Sequence, residues 1–69
     1  METIQVWKVI EIEKRRDGVH RRTLRVVPDE QKARRIATAR RIANRTRENG
    51  KTVLVEESAM RIGTVPPAH

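Results

Sequence analysis

Arginine is the side chain that gives this 69-residue chain its most evident chemistry. The chain carries 16 basic and nine acidic residues, a formal net charge of +7, and only four of the basic residues are lysine. Between Lys14 and Arg47 lie 13 basic residues and three acidic ones, which gives this segment a net charge of +10. A planar guanidinium binds phosphate or guanine through two parallel hydrogen bonds. The segment therefore favours an anionic partner such as DNA or RNA.

The predicted nucleic-acid contacts form two groups, one on a hairpin and one on a helix. They are Lys14, Arg15, Arg16, His20, Arg21, Arg22 and Arg25 in the first group, and Arg34, Arg41 and Arg45 in the second. We expect a small accessory protein, encoded by a phage or plasmid, that grips phosphates with these side chains. The alternative is an adaptor or inhibitor that docks its basic face on an acidic host protein. A GC-rich coding genome would give the same arginine content without a binding role.

Catalytic and metal-binding patterns are weak in the sequence. Glu11 and Glu13 share a strand face, as paired catalytic carboxylates would, but we expect them to face Thr23 and Arg21 as ion-pairing partners. Ser58 follows a glutamate, as a serine nucleophile beside an acidic group would. Adjacent strand residues point to opposite faces, however, so the glutamate is not placed to activate the serine. The chain has two histidines and no cysteine. We therefore predict no enzyme activity, no metal site and no cofactor.

Two runs rich in β-branched residues, 4–13 and 19–27, predict the strands of a hairpin. We expect a three-residue loop, Arg16-Asp17-Gly18, with Gly18 in the left-handed conformation. This loop pairs Ile10 with Leu24 and Lys8 with Val26, and it separates the polar from the apolar residues.

The predicted hairpin has an aliphatic face and a smaller apolar patch on its reverse side. The aliphatic face, expected to be the core, comprises Ile4, Val6, Ile10, Ile12, Leu24 and Val26. The patch on the reverse side contains Trp7, Val9 and Val27, and we interpret it as an interface for a homodimer or a protein partner. Under the other interpretation, Trp7 folds over a sheet edge and completes the core.

Pro28 ends the second strand, and Asp29 is a suitable N-cap for a helix over residues 30–48. The helical period predicts one arc facing the sheet and an arginine-bearing reverse side. The inner arc is Ala33, Ile36, Ala39, Ile42, Ala43 and Thr46, and the reverse side is Arg34, Thr38, Arg41 and Arg45. A third strand over residues 51–57 should direct Val53 and Val55 inward.

The whole pattern predicts an α+β domain with a small antiparallel sheet, a ββαβ element order and a strand order of 2-1-3. The helix packs on one face, and residues 60–65 could add a short fourth strand. We expect a single domain over residues 1–65 and a loosely ordered tail over residues 66–69. Without a signal-like start or a long apolar run, the chain is expected to be cytoplasmic, with no membrane partner.

Overall fold

A computed structural model describes residues 3–61 of the chain. It contains strand β1 (Thr3–Arg15), strand β2 (Gly18–Val27), helix α1 (Glu30–Arg47) and strand β3 (Thr52–Arg61). The strands form one sheet in the order β2-β1-β3, and β1 is antiparallel to both neighbours. This confirms the predicted α+β class, the element order and the strand order. Residues 60 and 61 end β3, whereas the rest of the suggested fourth strand and the 66–69 tail lie outside the described residues.

The turn of the hairpin is one residue shorter than expected. Arg15 pairs with Gly18, so that only Arg16 and Asp17 form the turn. Gly18 has a φ of +135°, a conformation that residues with a Cβ rarely adopt. The glycine therefore has the conformational role expected of it, but as the first residue of β2.

A β-bulge between Val9 and Ile10 reconciles this shorter turn with the rest of the hairpin. Lys8 pairs with Val26 as predicted, but Ile10 pairs with Thr23 instead of Leu24. The bulge inserts one extra residue into β2, and this residue is Leu24. Leu24 consequently packs against the core under the helix and not with Ile10.

The helix covers the face of the sheet opposite to the one expected. Val9, Val27 and Val53 form the buried core together with Ala33 and Ala37 of α1. Partly buried apolar side chains pack around this cluster, and they are Trp7, Leu24, Ile36 and Val55. Val53 and Val55 point inward as predicted.

The predicted interface of Trp7, Val9 and Val27 is therefore wrong. Val9 is fully buried and Val27 is 5% exposed, so neither side chain can reach another molecule. Trp7 packs against the same cluster, in line with the interpretation that it completes the core. Because both faces of β1 carry aliphatic residues, their alternation alone does not determine which face the helix covers.

The inward side of the helix also differs from the predicted arc. Ala33 is buried and Ile36 and Ala43 are half-buried, as expected. The residues of the predicted arc that are exposed instead are Ala39, Ile42 and Thr46. Ala37 and Asn44 are buried in their place, because small and polar side chains fit between α1 and a strand that carries Glu11.

Both ends of the helix are capped. The Asp29 side chain accepts hydrogen bonds from the backbone N–H groups of Gln31 (2.9 Å) and Lys32 (3.4 Å), which confirms the predicted N-cap. At the other end Glu48 adopts a left-handed conformation with a φ of 53°. Its N–H donates to the carbonyl groups of Arg45 and Asn44.

Candidate nucleic-acid interface

The hairpin extends past strand β3 at its turn. Strand β3 pairs with β1 only as far as Ile12, whereas β2 continues to pair with β1 as far as Arg15. Beyond Ile12 the sheet is therefore a two-stranded ribbon. We call residues 13–22 the hairpin end.

Basic side chains lie on both faces and at the tip of the hairpin end. Residues 14–22 carry five lysine or arginine residues and one acidic residue, Asp17, and all of them are exposed. In the strand register, Arg22 and His20 lie opposite Glu11 and Glu13 on the face that α1 covers further along the sheet. Lys14 and Arg21 lie on the other face. A partner that wraps the ribbon would meet positive charge on either side.

Three of the predicted contact residues in the hairpin end bind carboxylates of the chain itself. Arg15 donates to Glu13, and Arg21 donates to Glu56 at 2.9 Å. His20 lies 2.9 Å from Asp17. These pairs are solvent-exposed, and exposed ion pairs contribute at most about 1 kcal/mol, so a phosphate can compete for the cations.

The remaining cations of the hairpin end are Lys14, Arg16 and Arg22, and none of them forms an ion pair within residues 3–61. Arg22 lines a shallow depression of about 100 Å³ together with His20, Arg15 and Lys51. Glu11 and Glu13 also line this depression.

Glu11 is the best-anchored ionised group among the described residues. Its side chain is 4% exposed and accepts hydrogen bonds from Arg40 Nε (2.7 Å) and Asn44 Nδ2 (3.0 Å). Lys51 Nζ lies 3.9 Å away. The Arg40 hydrogen bond is the main cause that lowers the pKa of Glu11 to about 2, against the opposing effect of burial. The same contact raises the pKa of Arg40.

A chain of amide contacts ties this carboxylate to the turn that follows the helix. Asn49 Nδ2 donates to Asn44 Oδ1 at 3.0 Å, and Asn49 Oδ1 accepts the Lys51 N–H at 3.1 Å. No buried side-chain polar atom within the described residues lacks a partner. The Glu11 network therefore has a structural role, because it holds the end of α1 against the middle of β1.

Glu13 belongs to the edge of the same network. The Arg15 hydrogen bond is the main cause that lowers the pKa of Glu13, and Lys51 Nζ lies 3.4 Å from its carboxylate. The expected pairing of Glu11 and Glu13 with Thr23 and Arg21 is wrong, because the shorter turn shifts the register by one residue.

The predicted helix contacts Arg41 and Arg45 are separated from Arg25 of the hairpin group. Arg41 donates to the carbonyl oxygen of Val53 from both Nε (3.1 Å) and Nη2 (2.9 Å), and it lines a groove with Arg45 between α1 and β3. Arg25 lines a different groove, between α1 and β2. Arg25 and Arg41 therefore lie on opposite flanks of the helix. Lys51 lines both the Arg41 groove and the depression that Arg22 lines.

The helix arginines also differ in the groups of the chain that they bind. Arg34 binds Glu30 one turn earlier at 2.7 Å, and Arg41 holds a backbone oxygen of the edge strand β3. Arg40, which was not among the predicted contacts, makes the strongest contact of the group through Glu11. The sequence could have indicated the role of Arg40 only if Glu11 had been placed under the helix, because a buried glutamate needs a cation as its partner.

The comparisons with known proteins add no further evidence, since no protein-family model, curated protein or solved structure matches the chain. Within residues 3–61 no cluster of three or more histidine, cysteine, aspartate or glutamate residues could hold a metal ion. In the same part of the chain, no helix is both long and apolar enough to span a bilayer.

Proposed function

We propose that this chain is a small, non-enzymatic nucleic-acid-binding accessory protein that contacts phosphates with its hairpin end. The observation that carries the proposal is the set of exposed cations Lys14, Arg16 and Arg22, which form no ion pair within residues 3–61. Lys14 and Arg16 lie on the two-stranded ribbon that extends past β3, and Arg22 lies at the base of this ribbon, opposite Glu11.

The shape of the hairpin end supports this function. A two-stranded antiparallel ribbon is narrow enough to enter the major groove of B-DNA, which is about 12 Å wide. Arginine at the tip and on both faces would bind the phosphates that flank such a groove. The net charge of +7 would add long-range attraction at low salt.

The contact surface that we propose is smaller than the sequence predicted. It keeps the seven hairpin residues, including Arg25, whose groove opens beside β2. Arg41 is excluded because it holds the Val53 carbonyl through two nitrogens, and Arg34 is excluded because it lies on the helix and not on the hairpin. Arg45 lies on the opposite flank of the helix from Arg25. A cytoplasmic location and a phage or plasmid origin belong to the same proposal and rest on composition alone.

The test is fluorescence anisotropy with labelled duplex DNA, single-stranded DNA and RNA of mixed sequence across a salt series. If the hairpin end contacts about four phosphates, the log–log slope of affinity on a B-DNA duplex should be roughly −3.6. Replacing both Arg16 and Arg22 by alanine should reduce the slope by about 1.8 and weaken binding at least tenfold at about 0.1 M salt.

The matched control is the double replacement of Arg35 and Arg61 by alanine. Both residues are exposed, lie outside the hairpin end and form no ion pair within residues 3–61, so the variant has the same net charge. Equal losses in the two variants would show that only net charge matters, and the hairpin site would be rejected. Failure of the wild type to bind any nucleic acid would favour an acidic protein partner, and a pull-down from nuclease-treated lysate would then test that alternative.

A further inference from the structure

A groove between α1 and β2 has apolar walls and an exposed cation at its edge. Its volume is about 490 Å³, and it is lined by Leu24 and Arg25 of β2 and by Ile36, Ala39, Arg40 and Ala43 of α1. None of these lining residues is acidic. Arg25 is exposed and forms no ion pair within residues 3–61, whereas Arg40 is bound to Glu11. The groove therefore suits a ligand with an apolar part next to a negative charge.

The β-bulge in β2 brings the apolar wall and the cation together. In a regular strand, adjacent residues point to opposite faces, and Leu24 and Arg25 would not line the same groove. Leu24 is the extra residue of the bulge, and Arg25 pairs with Val9, whose side chain lies under the helix. Both side chains are consequently directed to the side of the sheet on which α1 lies. Bulges recur beside functional sites because they redirect a side chain in this way.

The helix leaves the groove open because its side chains there are small. Ala39 and Ala43 lie one turn apart on the same side of α1 and contribute only methyl groups. Leu24, Ile36 and Ala43 are half-buried and Ala39 is exposed. The apolar walls are therefore accessible to a ligand.

The aliphatic side chains at the end of the chain do not reach this groove. Arg61 pairs with Thr3, whereas Arg25 pairs with Val9, which lies six residues further along β1, or about 20 Å. Val65 is the last bulky aliphatic residue, and the four residues from Arg61 to Val65 span at most about 14 Å. The two residues before Thr3 span about 7 Å. Neither end can therefore fill the groove with a bulky aliphatic side chain.

We infer that the groove between α1 and β2 binds an unpaired base of a nucleic-acid strand while Arg25 holds a phosphate next to that base. The inference rests on the proposed function, because it names the form of nucleic acid that the same hairpin binds best. Proteins that bind an unstacked base hold it between aromatic or apolar side chains, or against the plane of an arginine. The groove supplies both kinds of surface side by side.

A second arginine lies beside the groove on the same face of β2. Arg22 pairs with Glu11 and Arg25 pairs with Val9, and these two positions of β1 are separated by about 7 Å. Both arginines are exposed and form no ion pair within residues 3–61. A strand that runs along β2 would therefore meet two guanidinium groups that can bind the phosphates flanking one base.

Only a single strand can use this groove. The bases of a duplex are paired and stacked inside it, so a duplex would contact the hairpin end without placing a base between α1 and β2. The bases of a single strand are free to turn outward. The lower end of the free energies measured for stacking one base on a protein corresponds to about a fivefold gain in affinity.

The test compares a labelled single strand of about ten thymidines with a strand of the same length that has the same backbone but no bases. Both strands carry the same number of phosphates, so the phosphate contacts and the salt dependence should be the same. In fluorescence anisotropy, the wild type should bind the thymidine strand at least about fivefold more tightly than the strand without bases.

Two substitutions fill the groove without changing the charge of the protein. A39L and, separately, A43L place a larger aliphatic side chain in it, and each should bind the two strands with equal affinity. The matched control is A59L, which makes the same change at an exposed alanine of β3 outside the groove and should keep the wild-type preference. Circular dichroism verifies that each variant is folded.

Equal affinity of the wild type for the two strands would overturn the inference whatever the variants do, and the proposed phosphate contacts would stand. The inference would also be overturned if the folded A39L and A43L variants kept the wild-type preference, or if A59L lost it as well. A wild type that binds neither strand nor the duplex would instead refute the proposed function, and the inference with it. The two failures are therefore distinguishable.

Discussion

Replacing Glu11 by glutamine should weaken the contact that holds the end of the helix to the sheet. The glutamine has nearly the same shape, but it has no charge to bind Arg40 and Lys51. In the wild type the pKa of Glu11 falls from 4.5 to about 2, mainly because of the Arg40 hydrogen bond. This difference corresponds to about 3 kcal/mol of stability near pH 7.

The substitution should cost somewhat less than this, about 2 to 3 kcal/mol. The reason is that the Arg40 side chain is 34% exposed and can recover part of its hydration when the carboxylate is removed. Because the folded state lowers the pKa, the contribution of Glu11 is present above pH 4.5 and is lost as the pH falls toward 2. The stabilities of the wild type and of E11Q should therefore converge in acid.

The assay is urea unfolding followed by the fluorescence of Trp7, the only tryptophan in the chain. All samples are measured at the same protein concentration, so that any association between chains affects them equally. E30Q is the matched control, since Glu30 binds Arg34 in an exposed pair worth at most about 1 kcal/mol. If E11Q and E30Q lose the same free energy near pH 7, or if E11Q keeps the acid dependence of the wild type, the assigned role of Glu11 is wrong.

Two further substitutions test the local structure by the same unfolding assay. D29A removes the acceptor for the Gln31 and Lys32 N–H groups and should cost about 1 kcal/mol, and an unchanged stability would contradict the assigned N-cap. G18A forces a Cβ into a φ of +135° and should cost about 1 to 3 kcal/mol, although no other atom obstructs it. A neutral G18A would indicate that the turn relaxes to another conformation.

The order of the elements and most of their boundaries follow from local sequence patterns. β-branched runs predicted the three strands, and Asp29 predicted the start of the helix within one residue. The hairpin register was only half predictable. The pairing of Lys8 with Val26 is confirmed, but the two-residue turn and the bulge at Val9 and Ile10 compensate for each other. A sequence pattern does not distinguish that pair of irregularities from one longer loop.

The candidate site was predicted as a set of residues but not as a surface. Sequence reasoning pooled Arg25 with Arg41, yet they lie on opposite flanks of α1. It also missed Arg40, whose partner Glu11 lies 29 residues earlier in the chain. A guanidinium on a long flexible stem binds whichever carboxylate or carbonyl the fold brings within reach, and this cannot be deduced from neighbours in the sequence.

The sequence by itself determined the secondary structure, the strand order and the concentration of positive charge between Lys14 and Arg47. These features depend on the period of side chains along the chain and on composition, which are local properties. Only the tertiary structure decided which face of β1 the helix covers, because Val9 and Ile10 point to opposite faces and each could have formed the core. It also decided which cations are engaged, since ion pairing depends on distances between segments far apart in the chain.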